Sequence, residues 1–206
     1  MNKDWTGNGN SVFKAIGASN HTDDEREPDD FYATSPRAID ELLKYQDLQL
    51  PGKIWEPSCG TGCLSDRLKQ HGYDVVSTDL IDRGYGTGGV DFFNVHEMPD
   101  GVKCILTNPP YKFATPYVTH SLELLPDGGI LCLFLKTTFA EGKERYIKIF
   151  SSTPPVYILQ CTERILCARN ADFDRQARNG TAVSYAWWIW RRGYHGKTVL
   201  DWINHP

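Results

Sequence analysis

The sequence predicts an α/β fold built on one mostly parallel sheet of seven strands, with helices on both faces. Short, continuous apolar runs alternate with longer amphipathic stretches along most of the 206 residues. Strands that are apolar throughout are typical of a sheet buried on both sides, and their alternation with helices is typical of parallel connections. Ligands of such sheets bind beyond the carboxyl ends of the strands. The residues that follow each strand are therefore the first candidates for a functional site.

The individual elements follow from local patterns. Polar residues throughout 1–30, with the acidic cluster "DDEREPDD", predict a mostly irregular arm, and 31–206 are predicted to form a single domain. Helical spacing of apolar residues predicts a helix from Ser35-Pro36, one carrying Leu64 and Leu68, and further helices over 114–125 and 141–151. The predicted strands are 53–57, 74–80, 88–93, 102–108, 130–135, 156–159 and 184–190.

Composition excludes several classes of protein. No apolar run approaches the roughly 18–20 residues needed to span a bilayer, and the first residues lack the apolar core of a signal peptide, so a cytoplasmic location is expected. The 6 cysteines include no CxxC pair and have no histidines at zinc spacing. We therefore expect neither a disulfide framework nor a metal site. Cys104 and Cys132 lie inside apolar runs and are predicted to be buried thiols.

Charge is distributed unevenly along a chain whose net charge is −4. Residues 1–101 hold 9 Lys and Arg against 18 Asp and Glu, whereas residues 143–197 hold 10 against 4. This asymmetry permits a phosphate-binding face on an acidic protein, although an ordinary solvated surface explains it equally well.

The first two predicted strands end in a glycine-rich loop and an acid. Gly60 and Gly62 of "EPSCGTG" (56–62) allow a tight turn and a close approach of the backbone to a ligand. The loop lacks the third glycine of the dinucleotide fingerprint, which weakens a nicotinamide site, and it lacks the GK[ST] of a P-loop. Asp79, after the second strand, is placed to accept hydrogen bonds from ribose hydroxyls. The alternative is that Asp79 caps a turn.

The next two strand ends add an aromatic wall and a proline corner. Asp91 and Phe92 could hold an adenine ring by its edge and its face; the alternative is a turn made by the aspartate beside a buried phenylalanine pair. Acidic strand ends around a loop without lysine suit a cationic nucleoside better than a triphosphate. The fourth strand is followed by "TNPPY" (107–111), which places an amide before the corner and an aromatic ring after it.

These motifs together resemble those of S-adenosylmethionine-dependent amino methyltransferases, whose fourth motif is [DNS]PP[YFW]. The segments "EPSCGTG", "STDL", "DFF", "NPPY" and "LPDGGILCLFLKTTF" follow the order of that class, and "FYATSP" (31–36) is similar to its motif beside the methionine moiety. Within the class, the opening "WTGNGNSVFKAIGASNH" and the closing "YAWWIWRRGYHGK" resemble compact phage and prophage adenine-N6 DNA methyltransferases.

The resemblance implies a Rossmann-like class I methyltransferase fold, S-adenosylmethionine as cofactor, and DNA, with its target base flipped out, as partner. It implies a bacterial or phage-infected cytoplasm, and neither a membrane nor a metal partner. The cofactor-binding residues that it implies are Tyr32, Thr34, Glu56, Ser58, Gly60, Gly62, Asp79, Leu80, Asp91, Phe92 and Asn108.

The chemistry of amine methylation explains the residue types of "NPPY". An exocyclic amine is a poor nucleophile because its lone pair is delocalised into the ring. Acceptors on both N–H bonds favour a nucleophilic sp³ nitrogen and stabilise the positive charge that develops on it. The Asn108 side chain and the Pro109 carbonyl can supply these acceptors, and Pro110 helps to stiffen the loop. Tyr111 offers a face on which a flipped base can stack, so these four residues are the predicted catalytic set.

Six arginines near the last strands are candidate phosphate contacts, namely Arg164, Arg169, Arg175, Arg178, Arg191 and Arg192. Loops there are expected on the ligand side of the sheet, although some of these arginines could instead pair with Asp172 and Asp174. The short stretch between "DFF" and "NPPY" leaves no room for an inserted recognition domain. We therefore expect a short recognition sequence or loose specificity.

Four other functions remain open from the sequence. The same "NPPY" chemistry serves RNA adenine and protein glutamine methyltransferases. A nucleic-acid-binding module with a degenerate nucleoside site would need no catalysis. A nicotinamide oxidoreductase could use a similar sheet, although the glycine loop argues against it.

Overall fold

A computed structural model of the chain describes residues 32–169, 173–174 and 183–203, so the arm predicted for 1–30 lies outside the described residues. Nine strands are found there: β1 Tyr32–Thr34, β2 Lys53–Glu56, β3 Asp74–Ser77, β4 Cys104–Thr107, β5 Ile130–Lys136, β6 Tyr157–Cys161, β7 Cys167–Arg169, β8 Tyr185–Arg191 and β9 Val199–Ile203. Seven of them form one sheet in the order β3-β2-β4-β5-β8-β6-β9.

The sheet is mostly parallel, as predicted. Strand β2 runs parallel to β3 and β4, β4 parallel to β5, and β6 parallel to β9. Strand β8 is antiparallel to both of its neighbours, β5 and β6. The predicted α/β class and the Rossmann-like arrangement of seven strands are confirmed.

The helices lie close to their predicted positions. They are α1 Arg37–Leu43, α2 Cys63–Gln70, α3 Ala114–Leu124 and α4 Lys143–Arg145, the last continued by a π-helical turn, Tyr146–Phe150. Three 3₁₀ turns are found at Phe92–Asn94, Tyr111–Phe113 and Thr137–Ala140. Across the described residues, no helix has both the length and the apolar character needed to cross a membrane.

Apolar packing covers both faces of the sheet, which explains why its strands are apolar throughout. Side chains alternate along β5, so that Cys132 and Phe134 face one layer while Leu131 and Leu133 face the other. Helices α1 and α2 pack on the first face, and α3 with the π-helical turn packs on the second. Cys104 and Cys132 are fully buried thiols, as expected.

The strand predicted at 88–93 is wrong. Gly89 has a φ of 75°, and the chain enters the 3₁₀ turn at Phe92 because the Asp91 side chain accepts a hydrogen bond from the Phe93 amide at 3.0 Å. The seventh strand is instead β9, which was not predicted from the sequence. It lies at the edge of the sheet and leaves Leu200 and Trp202 exposed, so it lacks the apolar continuity of the buried strands.

A second, two-stranded sheet joins distant parts of the chain. Strands β1 and β7 pair antiparallel, with Thr34 opposite Cys167 and Tyr32 opposite Arg169. Neither strand was predicted, since a three-residue strand is too short to show a period. This small sheet brings Thr34 and Cys167 to the loop that follows β4.

Candidate active site

A cleft of ≈ 290 Å³ opens beyond the carboxyl ends of β2, β3 and β4. Strand β2 lies between β3 and β4, so the chain runs from β2 to β3 on one side and later returns to β4 on the other. Ligands of open α/β sheets bind at such a point, where the strand order reverses. The predicted site residues that line the cleft are Tyr32, Thr34, Glu56, Ser58, Asp79, Leu80, Asp91, Phe92, Asn108, Pro109, Pro110 and Tyr111. The structure thus brings together segments that are far apart in the sequence.

The glycine loop after β2 turns in a conformation that only glycine adopts easily. Gly60 and Gly62 have φ of 56° and 87°, and Gly62 caps the N-terminus of α2. A Cβ atom on Gly62 would lie 2.4 Å from the ring of Tyr85, so the position has no room for a side chain. Both glycines shape the loop, although neither lines the cleft itself.

Asp79 is held in place by several donors. Its Oδ2 accepts from the Gly60 amide at 2.7 Å, and its Oδ1 accepts from the Ile81 amide at 2.9 Å and from Arg83 at 3.3 Å. The turn-capping alternative is therefore present in the structure. A carboxylate offers about four lone-pair sites, so Asp79 can cap this turn and still accept from a ligand hydroxyl in the cleft.

Glu56 is buried at the end of β2, where it lines the cleft and is hydrogen-bonded to one of a pair of serines. Its Oε2 accepts a short hydrogen bond from Ser65 Oγ, which in turn lies 2.6 Å from Ser77 Oγ. Burial raises the pKa of Glu56 to about 8, and the nearby charges of Asp79 and Asp66 act in the same direction. At neutral pH the group is therefore mostly protonated, so the cleft carries less negative charge than its three acidic strand ends suggested.

An aromatic wall closes the side of the cleft near the end of β3. Phe92 is buried and stacks on Tyr117, with ring centroids 4.2 Å apart and planes 16° apart. Asp91 accepts from the Phe93 amide, as the alternative of a turn with buried phenylalanines requires. Both Asp91 and Phe92 nevertheless line the cleft. The Tyr117 hydroxyl lies 2.6 Å from Ser58 Oγ and so ties the wall to the glycine loop.

Asn108 follows β4 with its two amide atoms in different environments. Its Nδ2 donates to Thr34 Oγ1 at 2.7 Å and to Cys167 Sγ at 3.8 Å. Its Oδ1 is buried and has no hydrogen-bond partner among the residues that the structure describes. A buried acceptor without a donor costs free energy, so this atom is suited to a ligand that brings an N–H group.

Tyr111 lies beside Asn108 and contacts other residues on several sides. Its hydroxyl donates to Cys167 Sγ at 3.6 Å, and its ring centroid lies 6.0 Å from that of Tyr185. The Lys136 ammonium sits over the ring, 4.7 Å from the centroid. Burial raises the pKa of the Tyr111 phenol well above its usual value, so the hydroxyl stays protonated and remains a donor.

Several residues of this site were not predicted from the sequence, and three of them contact predicted site residues. Lys136 ends strand β5, and the strand-end rule could have found it. Tyr117 was assigned only to a helix, and no local signal marks its ring as a wall of the cleft. Cys167 reaches Asn108 only because β7 pairs with β1, so no local pattern could have indicated it.

Four of the six candidate phosphate contacts fall into three groups. Arg164 is exposed and lines a polar cleft of ≈ 320 Å³ together with Tyr185 and Trp202. Arg169 pairs through its backbone with Tyr32, beside the main cleft. Arg175 and Arg178 lie outside the described residues.

The placement expected for Arg191 and Arg192 on the ligand side is wrong. Strand β8 is antiparallel, so Arg191 pairs with Ile130 at the start of β5, on the opposite edge of the sheet. Arg192 is engaged there, where its guanidinium donates to the Glu123 carbonyl at 2.7 Å.

Comparisons with known proteins identify the fold. No protein-family model and no curated protein matches the sequence. Among solved structures, a candidate class I S-adenosylmethionine-dependent methyltransferase from Listeria monocytogenes is 12% identical over 95% of this chain and 71% of that chain, with a TM-score of 0.56. A candidate RNA methyltransferase from Pyrococcus horikoshii is 14% identical over 90% of this chain and 99% of that chain, with a TM-score of 0.55.

A third similar structure is a modification subunit of a candidate type I restriction enzyme from Vibrio vulnificus. It is 14% identical over 96% of this chain and 50% of that chain, with a TM-score of 0.56. The chain therefore has the Rossmann-like fold of class I methyltransferases. Within the described ranges, no cluster of His, Cys, Asp and Glu side chains could hold a metal ion.

Proposed function

We propose that this protein transfers a methyl group from S-adenosylmethionine to the exocyclic N6 amine of adenine in DNA. The observation that carries the proposal is the Asn108 side chain, whose buried Oδ1 lacks a partner among the described residues while its Nδ2 is engaged. An acceptor held in this way, on a residue that lines the cleft, is what an exocyclic amine needs, because the nitrogen must lose its conjugation with the ring to react.

The second acceptor is the Pro109 carbonyl. The neighbouring Pro110 carbonyl accepts from the Phe113 amide at 2.9 Å, within the 3₁₀ turn that follows the corner. The target amine would donate one N–H to Asn108 Oδ1 and the other to Pro109. Both oxygens would then stabilise the positive charge that develops on the nitrogen.

The described residues fit S-adenosylmethionine as the group that fills the rest of the cleft. Asp79, which already fixes the glycine loop, lines the cleft and could accept from ribose hydroxyls there, and the aromatic wall around Phe92 suits an adenine ring. The cofactor supplies an already activated methyl group. The protein then needs only to align the amine with it, and no strong general base is required because the methylated nitrogen becomes acidic.

Tyr111 supplies a stacking face for the target base. Base–aromatic stacking is worth about 1–3 kcal/mol in other systems. The Lys136 ammonium occupies one face of this ring, so a base on that face would displace it. The displaced cation would remain beside the entering nucleotide, where it could meet a phosphate.

DNA is favoured over other amine or amide substrates by the resemblance of the motifs and by the similar restriction-system subunit. The similar RNA methyltransferase keeps RNA as the second candidate, and the same acceptors would serve a protein glutamine. A short or loosely specified recognition sequence is part of the proposal, as are contacts from Arg164, Arg169, Arg175 and Arg178.

Mass spectrometry of nucleosides tests the proposal directly. DNA, RNA and protein are each incubated with the enzyme and labelled S-adenosylmethionine, then digested and analysed. We expect N6-methyladenine from DNA. N4-methylcytosine in DNA, or label confined to RNA or protein, would replace the proposed substrate. Binding of the cofactor without any transfer would overturn the proposed activity.

The Asn108→Ala variant tests the mechanism. Loss of one preorganised partner of developing charge typically lowers kcat by about 10²–10³, and calorimetry should show that cofactor binding persists. Asn108→Asp keeps an acceptor oxygen and should retain more activity than the alanine variant. Equal turnover by the wild type and Asn108→Ala would remove Asn108 from the mechanism.

A further inference from the structure

We infer that Thr34 and Cys167 are positioning residues that hold the Asn108 amide with its oxygen toward the substrate. The inference rests on the proposed function, since it explains how the acceptor of the target amine is oriented. Thr34 was predicted to bind the cofactor, but its hydroxyl is the closest polar partner recorded for the Asn108 side chain, at 2.7 Å.

Both N–H bonds of the Asn108 amide are accounted for. Nδ2 has two acceptors, Thr34 Oγ1 at 2.7 Å and Cys167 Sγ at 3.8 Å. Because an amide group has only two N–H donors, no donor is left for the cleft. The oxygen is the remaining polar atom, and it lacks a partner among the described residues.

Turning the amide over would defeat the reaction. The NH₂ group would then face the target amine, which is itself a donor, and two donors cannot bond each other. Turning the amide would break both of its hydrogen bonds, and the Thr34 hydroxyl, which can also donate, would have to reverse its role and give up any bond of its own to Cys167 Sγ. These two residues therefore decide how often the productive orientation is populated.

The small sheet makes this orientation rigid. Thr34 and Cys167 are directly opposite each other in the β1–β7 pair, and their side chains lie 3.9 Å apart. Thr34 is only 3% exposed, so water does not compete readily for its hydroxyl. The pair is fixed by backbone hydrogen bonds and does not depend on a mobile surface side chain.

Cys167 also connects the amide to the stacking ring. The same sulfur accepts from the Tyr111 hydroxyl at 3.6 Å, so one atom fixes two members of the "NPPY" corner relative to each other. Burial raises the pKa of the Cys167 thiol, which keeps the sulfur protonated and uncharged beside these donors. Cys167 has no nucleophilic part in this scheme.

Threonine variants test the inference through kcat. Thr34→Val has nearly the same shape but no acceptor, and we expect a loss of about tenfold or more in kcat, whereas a role of Thr34 in cofactor binding alone would lower the affinity for S-adenosylmethionine instead. Thr34→Ser restores the hydroxyl and should restore the rate. Thr119→Val, a threonine on helix α3 whose hydroxyl bonds the Pro116 carbonyl, is the matched control and should behave as the wild type.

Nuclear magnetic resonance of the side-chain amide gives a readout that is independent of activity. The Asn108 NH₂ resonances, identified by their loss in Asn108→Asp, should exchange slowly with water in the wild type. In Thr34→Val they should shift and exchange faster. Unchanged resonances in Thr34→Val, or a Thr34→Ser variant whose kcat is as low as that of Thr34→Val, would overturn the inference. Failure of the wild type to methylate DNA would instead overturn the proposed function and leave the resonance test standing.

Discussion

The side chain of Asn108 donates to that of Thr34 across 2.7 Å, although 74 residues separate the two positions. The bond joins the corner after β4 to a strand near the start of the described chain. It leaves one oxygen of the corner without a protein donor among the described residues, at the place where the proposed chemistry needs an acceptor. The preparation of this oxygen is therefore a property of the tertiary structure and cannot be read from "NPPY" alone.

Asp79→Ala should weaken binding of S-adenosylmethionine by at least about tenfold, because the variant loses a ribose acceptor and also frees the Gly60 amide. Titration calorimetry measures the change. Asp82→Ala is the matched control, since Asp82 is exposed in the same loop and caps the Gly84 amide at 2.9 Å. Equal cofactor affinity in the wild type and Asp79→Ala would remove the ribose assignment.

Glu56 should make stability depend on pH. Its pKa rises from 4.5 to about 8 on folding, so the native state binds this proton more tightly than the unfolded state. The stabilisation is complete below pH 4.5, declines as the pH rises towards about 8, and is lost above it. Glu56→Gln removes this dependence, and urea denaturation of both proteins across the window measures it. Parallel pH profiles for the two proteins would show that Glu56 ionises normally.

Trp187 and Trp188 allow a matched test of buried polar groups. Both are fully buried, but Trp187 Nε1 donates to the Ala38 carbonyl at 2.9 Å, whereas Trp188 Nε1 has no partner within the described part of the chain. Trp187→Phe should therefore lower the free energy of unfolding by about 1 kcal/mol more than Trp188→Phe. Chemical denaturation measures both variants. An equal loss would mean that packing alone governs the two positions.

Arg164→Gln should weaken DNA binding and reduce the slope of log affinity against log salt by about 1, as expected for one lost phosphate contact. The matched control is Arg191→Gln, because Arg191 is also exposed but lies at the opposite edge of the sheet. Fluorescence anisotropy with a labelled duplex, over a series of salt concentrations, measures both. An effect of Arg191 equal to that of Arg164 would indicate non-specific attraction to the whole surface.

The sequence was sufficient to predict the main sheet because its strands are buried on both faces. Continuous apolar runs such as 130–135 stand out in the sequence, and their order fixes the mostly parallel arrangement. The failures occur where local chemistry overrides a short pattern. "GGVDFF" looks like a strand, yet Asp91 bonds the Phe93 amide and starts a 3₁₀ turn. The edge strand β9 escaped prediction because Leu200 and Trp202 face outward.

The site divides in the same way. Strand ends could be located from the sequence, and the residues predicted there from Glu56 to Tyr111 gather around one cleft or shape its glycine loop. Contacts made through the β1–β7 pair could not be predicted from the sequence, because Cys167 reaches the "NPPY" corner only when two short strands meet. The burial that raises the pKa of Glu56 also depends on packing between distant segments.

The β1–β7 pair makes the orientation of Asn108 a long-range property of the chain. Thr34 and Cys167 lie 133 residues apart, so their pairing closes a long loop at an entropic cost. Strand β1 also contributes Tyr32 and Thr34 to the lining of the cleft. Under the proposed function, an incompletely folded chain would therefore lack the oriented amide, and methyl transfer would depend on completion of the fold.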